Sequence, residues 1–129
     1  MAPPRPTVFI IDDDESVRRA VGRLIRSAGL HAETFATAED YLRAAETPGP
    51  ACLVLDVHLP GLSGPELRAR LDAEGRGVPV VFISAFDDEP TRDQALRDGA
   101  VAFLRKPFDD RSLLDAVGQA LCVPKLGGP

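Results

Sequence analysis

Four consecutive acids, Asp12, Asp13, Asp14 and Glu15, follow directly on the apolar run Val8 to Ile11. Like charges crowded at the end of a buried strand repel one another, and burying any of them is costly without a positive partner. Several carboxylate oxygens at one spot make a site for a hard cation. Mg2+ suits it best, because it takes oxygen ligands, needs few from protein and keeps waters for exchange. A second apolar run, Cys52 to Leu55, ends in a lone acid, Asp56. A carboxylate there can attack phosphorus and form an acyl phosphate, while a neighbouring cation offsets charge on the transferring group. Ser84 and Lys106 stand just beyond two further apolar runs. Each can bind a phosphoryl oxygen, one by hydroxyl donation and one by charge. Lysine is also the rarer cation here, two against thirteen arginines. A lysine beside Arg105 suggests a place where a compact ammonium fits and a wide guanidinium does not.

Each of these residues also has an ordinary structural use. Asp12 or Asp14 can cap the helix that follows, Asp56 can shape a turn, Ser84 can satisfy a turn, and Lys106 can be a solvated surface charge. His58 has a ring that can ligate a metal, but no second histidine lies near it in sequence. The chemical reading depends on convergence, and convergence depends on the elements that carry the residues.

Short apolar runs alternate with amphipathic segments. Thr7 to Ile11 reads as a strand. Ser16 to Ala28 reads as a helix, with Val17, Val21, Leu24, Ile25 and Ala28 on one face and arginines on the other, closed by Gly29. His31 to Phe35 alternates like a half-buried strand, and Ala38 to Ala45 is a short helix capped by Thr37. Pro48-Gly49-Pro50 marks a turn. Cys52 to Leu55, Val78 to Ile83 and Ala100 to Leu104 read as further strands. Pro65 to Ala73, Glu89 to Arg97 and Asp109 to Leu121 read as the helices after them. Five strand–helix pairs predict an α/β fold, a doubly wound parallel sheet with helices on both faces and right-handed crossovers. Ligands of such sheets bind beyond the carboxyl ends of the strands, which is where the acids, Ser84 and Lys106 all fall.

The 129 residues suit a single domain with a real core. A net charge of -5 argues against a broad nucleic-acid footprint. No apolar stretch approaches the ~20 residues that a bilayer requires, and the proline-rich Met1 to Pro6 is unlike a signal peptide; the expected location is the cytoplasm. Cys52 and Cys122 lie far apart in apolar settings and are expected to be buried and inert. The domain is expected to occupy residues 1–122, with 123–129 as a tail or linker stub. No helix-turn-helix or enzymatic output segment is read in the chain.

Four motifs carry a family resemblance: Ile11-Asp12-Asp13-Asp14, Leu55-Asp56-Val57-His58-Leu59-Pro60-Gly61-Leu62-Ser63-Gly64, Ile83-Ser84-Ala85, and Phe103-Leu104-Arg105-Lys106-Pro107-Phe108. Over residues 6 to 122 the chain resembles the receiver domain of two-component response regulators, of the FixJ/NarL type and nearer to FixJ. The resemblance implies the flavodoxin-like, CheY-like strand order 2-1-3-4-5. It implies that Asp56 is the phosphoacceptor for a sensor histidine kinase, and that Asp13 ligates Mg2+ directly, Asp12 through water, and His58 through its backbone carbonyl. Lys106 would contact the phosphate, across a cis bond to Pro107, and Asp14 aligns with an often acidic position. Ser84 would be the switch hydroxyl and Phe103 the rotating aromatic. Together they would alter the surface of the Glu89 to Arg97 helix and the next strand, where a second copy or a downstream protein docks. Ser84 stands where threonine is common in the family. His58 and Phe86 fall at variable positions that influence phosphoryl lifetime.

Other classes fit less of the chain. Asp12-x-Asp14-x-Ser16 can be read as the nucleophile motif of a haloacid-dehalogenase-like Mg2+-dependent phosphatase, yet no later acidic pair supplies further metal ligands. A flavodoxin-like nucleotide binder would cradle phosphate with backbone donors in its first loop, and here that loop is acidic. An EF-hand loop starting at Asp12 needs glycine where Val17 stands. A receiver fold that signals without phosphate would not need all the chemical groups that are present.

Overall fold

The computed structural model describes residues 5–44, 49–86 and 88–122. Strands and helices alternate through β1 (Thr7–Ile11), α1 (Glu15–Ser27), β2 (His31–Phe35), α2 (Ala38–Arg43), β3 (Ala51–Asp56), α3 (Gly64–Ala73), β4 (Val80–Ser84), α4 (Glu89–Arg97), β5 (Ala102–Arg105) and α5 (Asp110–Leu121). All pairings are parallel, in the order β2-β1-β3-β4-β5. The expected doubly wound order is therefore present. Registers bring Ile11 opposite Leu55, Asp56 opposite Ile83 and Ser84 opposite Arg105. The carboxyl ends of the four strands that carry the chemical residues thus lie side by side.

Alternate side chains of the central strands feed two apolar layers. Val8, Ile10, Cys52, Val54, Val81 and Ile83 pack toward α1 and α5. Phe9, Ile11, Leu53, Leu55, Val80 and Phe82 pack on the other face with Leu67, Leu71 and Ala95. Strands buried on both faces have no reason to alternate with polar residues, which is why they read as continuous apolar runs.

Caps set the helix starts. Asp14, Thr37, Ser63, Asp88 and Asp109 each accept a backbone N–H from the first turn of the helix that follows. Ser63 and Glu66 form a reciprocal capping box, so α3 starts at Gly64, one residue before the predicted start.

Four expectations need correction or fall outside the described residues. β4 begins at Val80, not Val78, because Val78 is half-buried against the core without joining the ladder. β5 begins at Ala102, not Ala100, because the Ala100 N–H is taken by the Ala95 carbonyl at the end of α4. Cys52 is fully buried, and burial pushes its thiol up to about 12, but Cys122 is exposed. It caps α5 in the left-handed region, φ 55°. Ala45, Pro48 and the tail 123–129, on which further expectations rested, lie outside the described residues. No helix among the described residues is long and apolar enough to cross a membrane.

Candidate functional site

Asp12 sits just past β1 and is fully buried, yet each of its polar groups has a partner. Its N–H donates to the Phe35 carbonyl at 3.1 Å. Its Oδ1 accepts from the Asp14 N–H at 2.9 Å, and its Oδ2 accepts from Lys106 Nζ at 2.7 Å. Its backbone carbonyl accepts from Arg18 Nη1 at 2.8 Å. Asp56, at the end of β3, is 5% exposed; its Oδ1 accepts from the His58 N–H at 3.1 Å and its Oδ2 from Lys106 Nζ at 3.4 Å. Asp13 is exposed. One carboxylate oxygen from each of Asp12, Asp13 and Asp56 lies within 4.8 Å of the others.

Electrostatics agree with the geometry. Burial raises the Asp12 carboxyl above its ordinary range, and the hydrogen bond from Lys106 offsets only part of that. Burial alone would lower the Lys106 ammonium, but the hydrogen bond to Asp12 and the charges of Asp12 and Asp56 outweigh it and hold the lysine above its ordinary value. Lys106 is therefore a fixed cation shared by two acids. Three carboxylates with only oxygen donors and one ammonium between them fit a hard divalent cation by the chemistry of the donor set.

Ser84, the last residue of β4, is fully buried. Its Oγ lies 3.3 Å from the Phe86 carbonyl and accepts from the Phe86 N–H at 3.1 Å, so the hydroxyl is engaged in its own turn rather than with Asp56. The Lys106 N–H donates to the Ser84 carbonyl at 2.7 Å, tying the ends of β4 and β5 together, and the Lys106–Pro107 bond is cis as expected. Phe103 is half-buried and tilted against Phe82, centroids 6.4 Å apart. The His58 ring meets Phe86 edge-on, centroids 4.8 Å apart at 86°. Asp14 spends its side chain on the Ser16 N–H as the α1 cap. The Asp12-x-Asp14 pair therefore does not act as a unit, and the phosphatase alternative loses its motif.

Three contributors have roles that the sequence reading did not assign. Gly64 lets α3 start against the site, since a Cβ there would stand 2.4 Å from the Asp56 carbonyl oxygen. Glu39 on α2 accepts from the Leu62 N–H at 3.1 Å and holds the loop after Asp56 from across the sheet edge. Arg18 holds the Asp12 carbonyl. The Ser63-x-x-Glu66 pattern would have located the start of α3; the Glu39 and Arg18 contacts carry no local signal.

The family description "Response regulator receiver domain" matches residues 8–118. Nodulation protein W of Bradyrhizobium diazoefficiens is 44% identical over 110 residues, covering 85% of this chain and 48% of that protein. The transcriptional regulatory protein FixJ of Azorhizobium caulinodans is 38% identical over 114 residues, covering 88% and 54%. Among solved structures, response regulator StyR superposes with a TM-score of 0.85 at 47% identity, over 92% of this chain and 60% of that one. The FixJ receiver structure superposes with a TM-score of 0.82 at 30% identity, over 97% and 98%. The chain spans about half the length of the curated relatives it matches. With the strand order, the acid cluster and the Lys106 bridge in place, these matches show that the chain belongs to the receiver domain family of two-component response regulators.

Proposed function

We propose that Asp56 accepts a phosphoryl group from a sensor histidine kinase and that Asp12, Asp13, Asp56 and the His58 carbonyl hold Mg2+ beside it, Asp12 through water. Receiver domains of this family are phosphorylated by such kinases. The observation that carries the reading is the shared ammonium: Lys106 Nζ lies within reach of both Asp12 and Asp56, beside an all-oxygen cluster. When bound, Mg2+ supplies charge compensation for the transferring phosphoryl group. Asp56 provides the nucleophilic oxygen, and its Oδ1 stays held by the His58 N–H. Lys106, already protonated, turns its charge toward a phosphoryl oxygen. The Ser84 hydroxyl exchanges its own turn for a second phosphoryl oxygen, and Phe103 moves into the space so vacated. Two arrangements separated by a few kcal/mol suffice for one modification to shift their populations. The surface that changes is α4 with β5, where a second copy or a downstream protein docks. The acidic chain itself binds no nucleic acid, works in the cytoplasm, and carries the receiver in residues 1–122 with 123–129 as tail or linker.

The test is incubation with a small acyl phosphate donor and Mg2+, followed by intact mass. The wild type gains one phosphoryl group and D56N gains none. A wild type that stays unmodified, or a D56N variant that is modified to the same extent, overturns the reading. Size-exclusion chromatography before and after reports whether the modified form assembles.

A further inference from the structure

An arginine that touches the acid cluster presents a puzzle of sign. Acids crowded to receive a cation are weakened by a neighbouring positive charge, yet Arg18, half-buried on the first turns of α1, brings its guanidinium to the Asp12 carbonyl at 2.8 Å. Its neighbour Arg19 instead pairs with Glu15 on the exposed face, 3.3 Å away. The Asp12 carbonyl belongs to the peptide that joins Asp12 to Asp13. On the other side of Asp12 the N–H is fixed to the Phe35 carbonyl of β2, and its carboxylate is fixed at both oxygens. Arg18 supplies the remaining constraint, and it is the one that sets the plane from which Asp13 departs. Asp13 is the exposed member of the cluster, so the peptide that precedes it decides whether its carboxylate stays within 4.8 Å of the other two.

We infer that Arg18 is a positioning residue: it orients the Asp12–Asp13 peptide so that both carboxylates face the same cation, at the expense of some charge repulsion. The inference rests on the cation site proposed above. Groups that orient metal ligands change affinity by about tenfold or more when removed. A purely electrostatic role gives the opposite sign, because losing a positive charge tightens cation binding.

The experiment is a Mg2+ titration of the full chain, followed through the backbone amide resonances of Asp12, Asp13 and Asp14, for wild type, Arg18→Met and Arg18→Lys. Methionine keeps the apolar stem without donors, and lysine keeps the charge and one donor group. Arg18→Met is expected to weaken Mg2+ binding about tenfold while the remaining amide resonances stay in place, and Arg18→Lys to recover part of the loss. Binding by Arg18→Met as tight as, or tighter than, wild type overturns the inference. If Arg18→Met does not fold, Arg18→Gln takes its place with the same two outcomes. A wild type that binds no Mg2+ overturns the cation site itself, a failure distinct from that of Arg18.

Discussion

Replacing Lys106 by methionine tests the central electrostatic argument without any added ligand. The ammonium lies 2.7 Å from Asp12 Oδ2 and 3.4 Å from Asp56 Oδ2, and the Asp12 side chain is 0% exposed. Removing one partner of a buried ion pair costs about 3–5 kcal/mol, because the other charge is left uncompensated. The Lys106 side chain is 19% exposed, so water reaches the vacated position, and the expected loss falls to about 2 kcal/mol near pH 7.5 with a chelator present. The pH dependence has a definite sign. Burial already raises the Asp12 carboxyl, and loss of the lysine hydrogen bond raises it further. A carboxyl raised in the folded state above its unfolded value binds protons more tightly when folded, so its stability contribution is full at low pH and is lost as pH rises through the folded pKa. The deficit of K106M relative to wild type should therefore shrink at a mildly acidic pH, where the raised Asp12 carboxyl takes up a proton in place of the missing cation. Urea denaturation followed by far-ultraviolet circular dichroism at both pH values measures it. A deficit that is absent, or that grows toward acid, refutes the shared-ammonium account.

Two further predictions concern the rim and the floor of the site. His58 and Phe86 form an edge-on pair, with Phe86 60% exposed, and the prediction is that together they partly screen an acyl phosphate on Asp56 from water. H58A and F86A should each shorten the phosphoryl lifetime, measured as the decay of phosphorylated mass after donor removal, and unchanged decay in both refutes the screening. The substitution G64A places a methyl 2.4 Å from the Asp56 carbonyl oxygen, a backbone neighbour that cannot rotate away. It should cost about 2–3 kcal/mol in urea denaturation, as overpacking does, and slow phosphoryl uptake by shifting Asp56; wild-type stability would show that α3 has room to retreat.

How much of this was legible in the sequence follows from what each feature responds to. The site was readable because strand ends are. Val8 to Ile11 and Cys52 to Leu55 are apolar on both faces, and parallel strands in register carry whatever follows them to one edge. Asp12, Asp56, Ser84 and Lys106 could therefore be gathered before any contact was known. Apolarity reports burial rather than pairing, so Val78 and Ala100 extended two strands by two residues each without joining a ladder. The state of Ser84 was hidden for a related reason. Its place at the end of β4 was legible, but whether its hydroxyl faces Asp56 or its own turn depends on a torsion that no spacing encodes. Arg18 and Glu39 were hidden more deeply, because each meets a single backbone group, 6 and 23 residues away. On a helix face, an arginine that orients a carbonyl is indistinguishable by sequence from one that faces water. Strand register thus assembles the chemistry in a way that periodicity reveals, while the contacts that aim it belong to individual side chains, and those are where the chain's own affinity for a cation and its phosphoryl lifetime are to be sought.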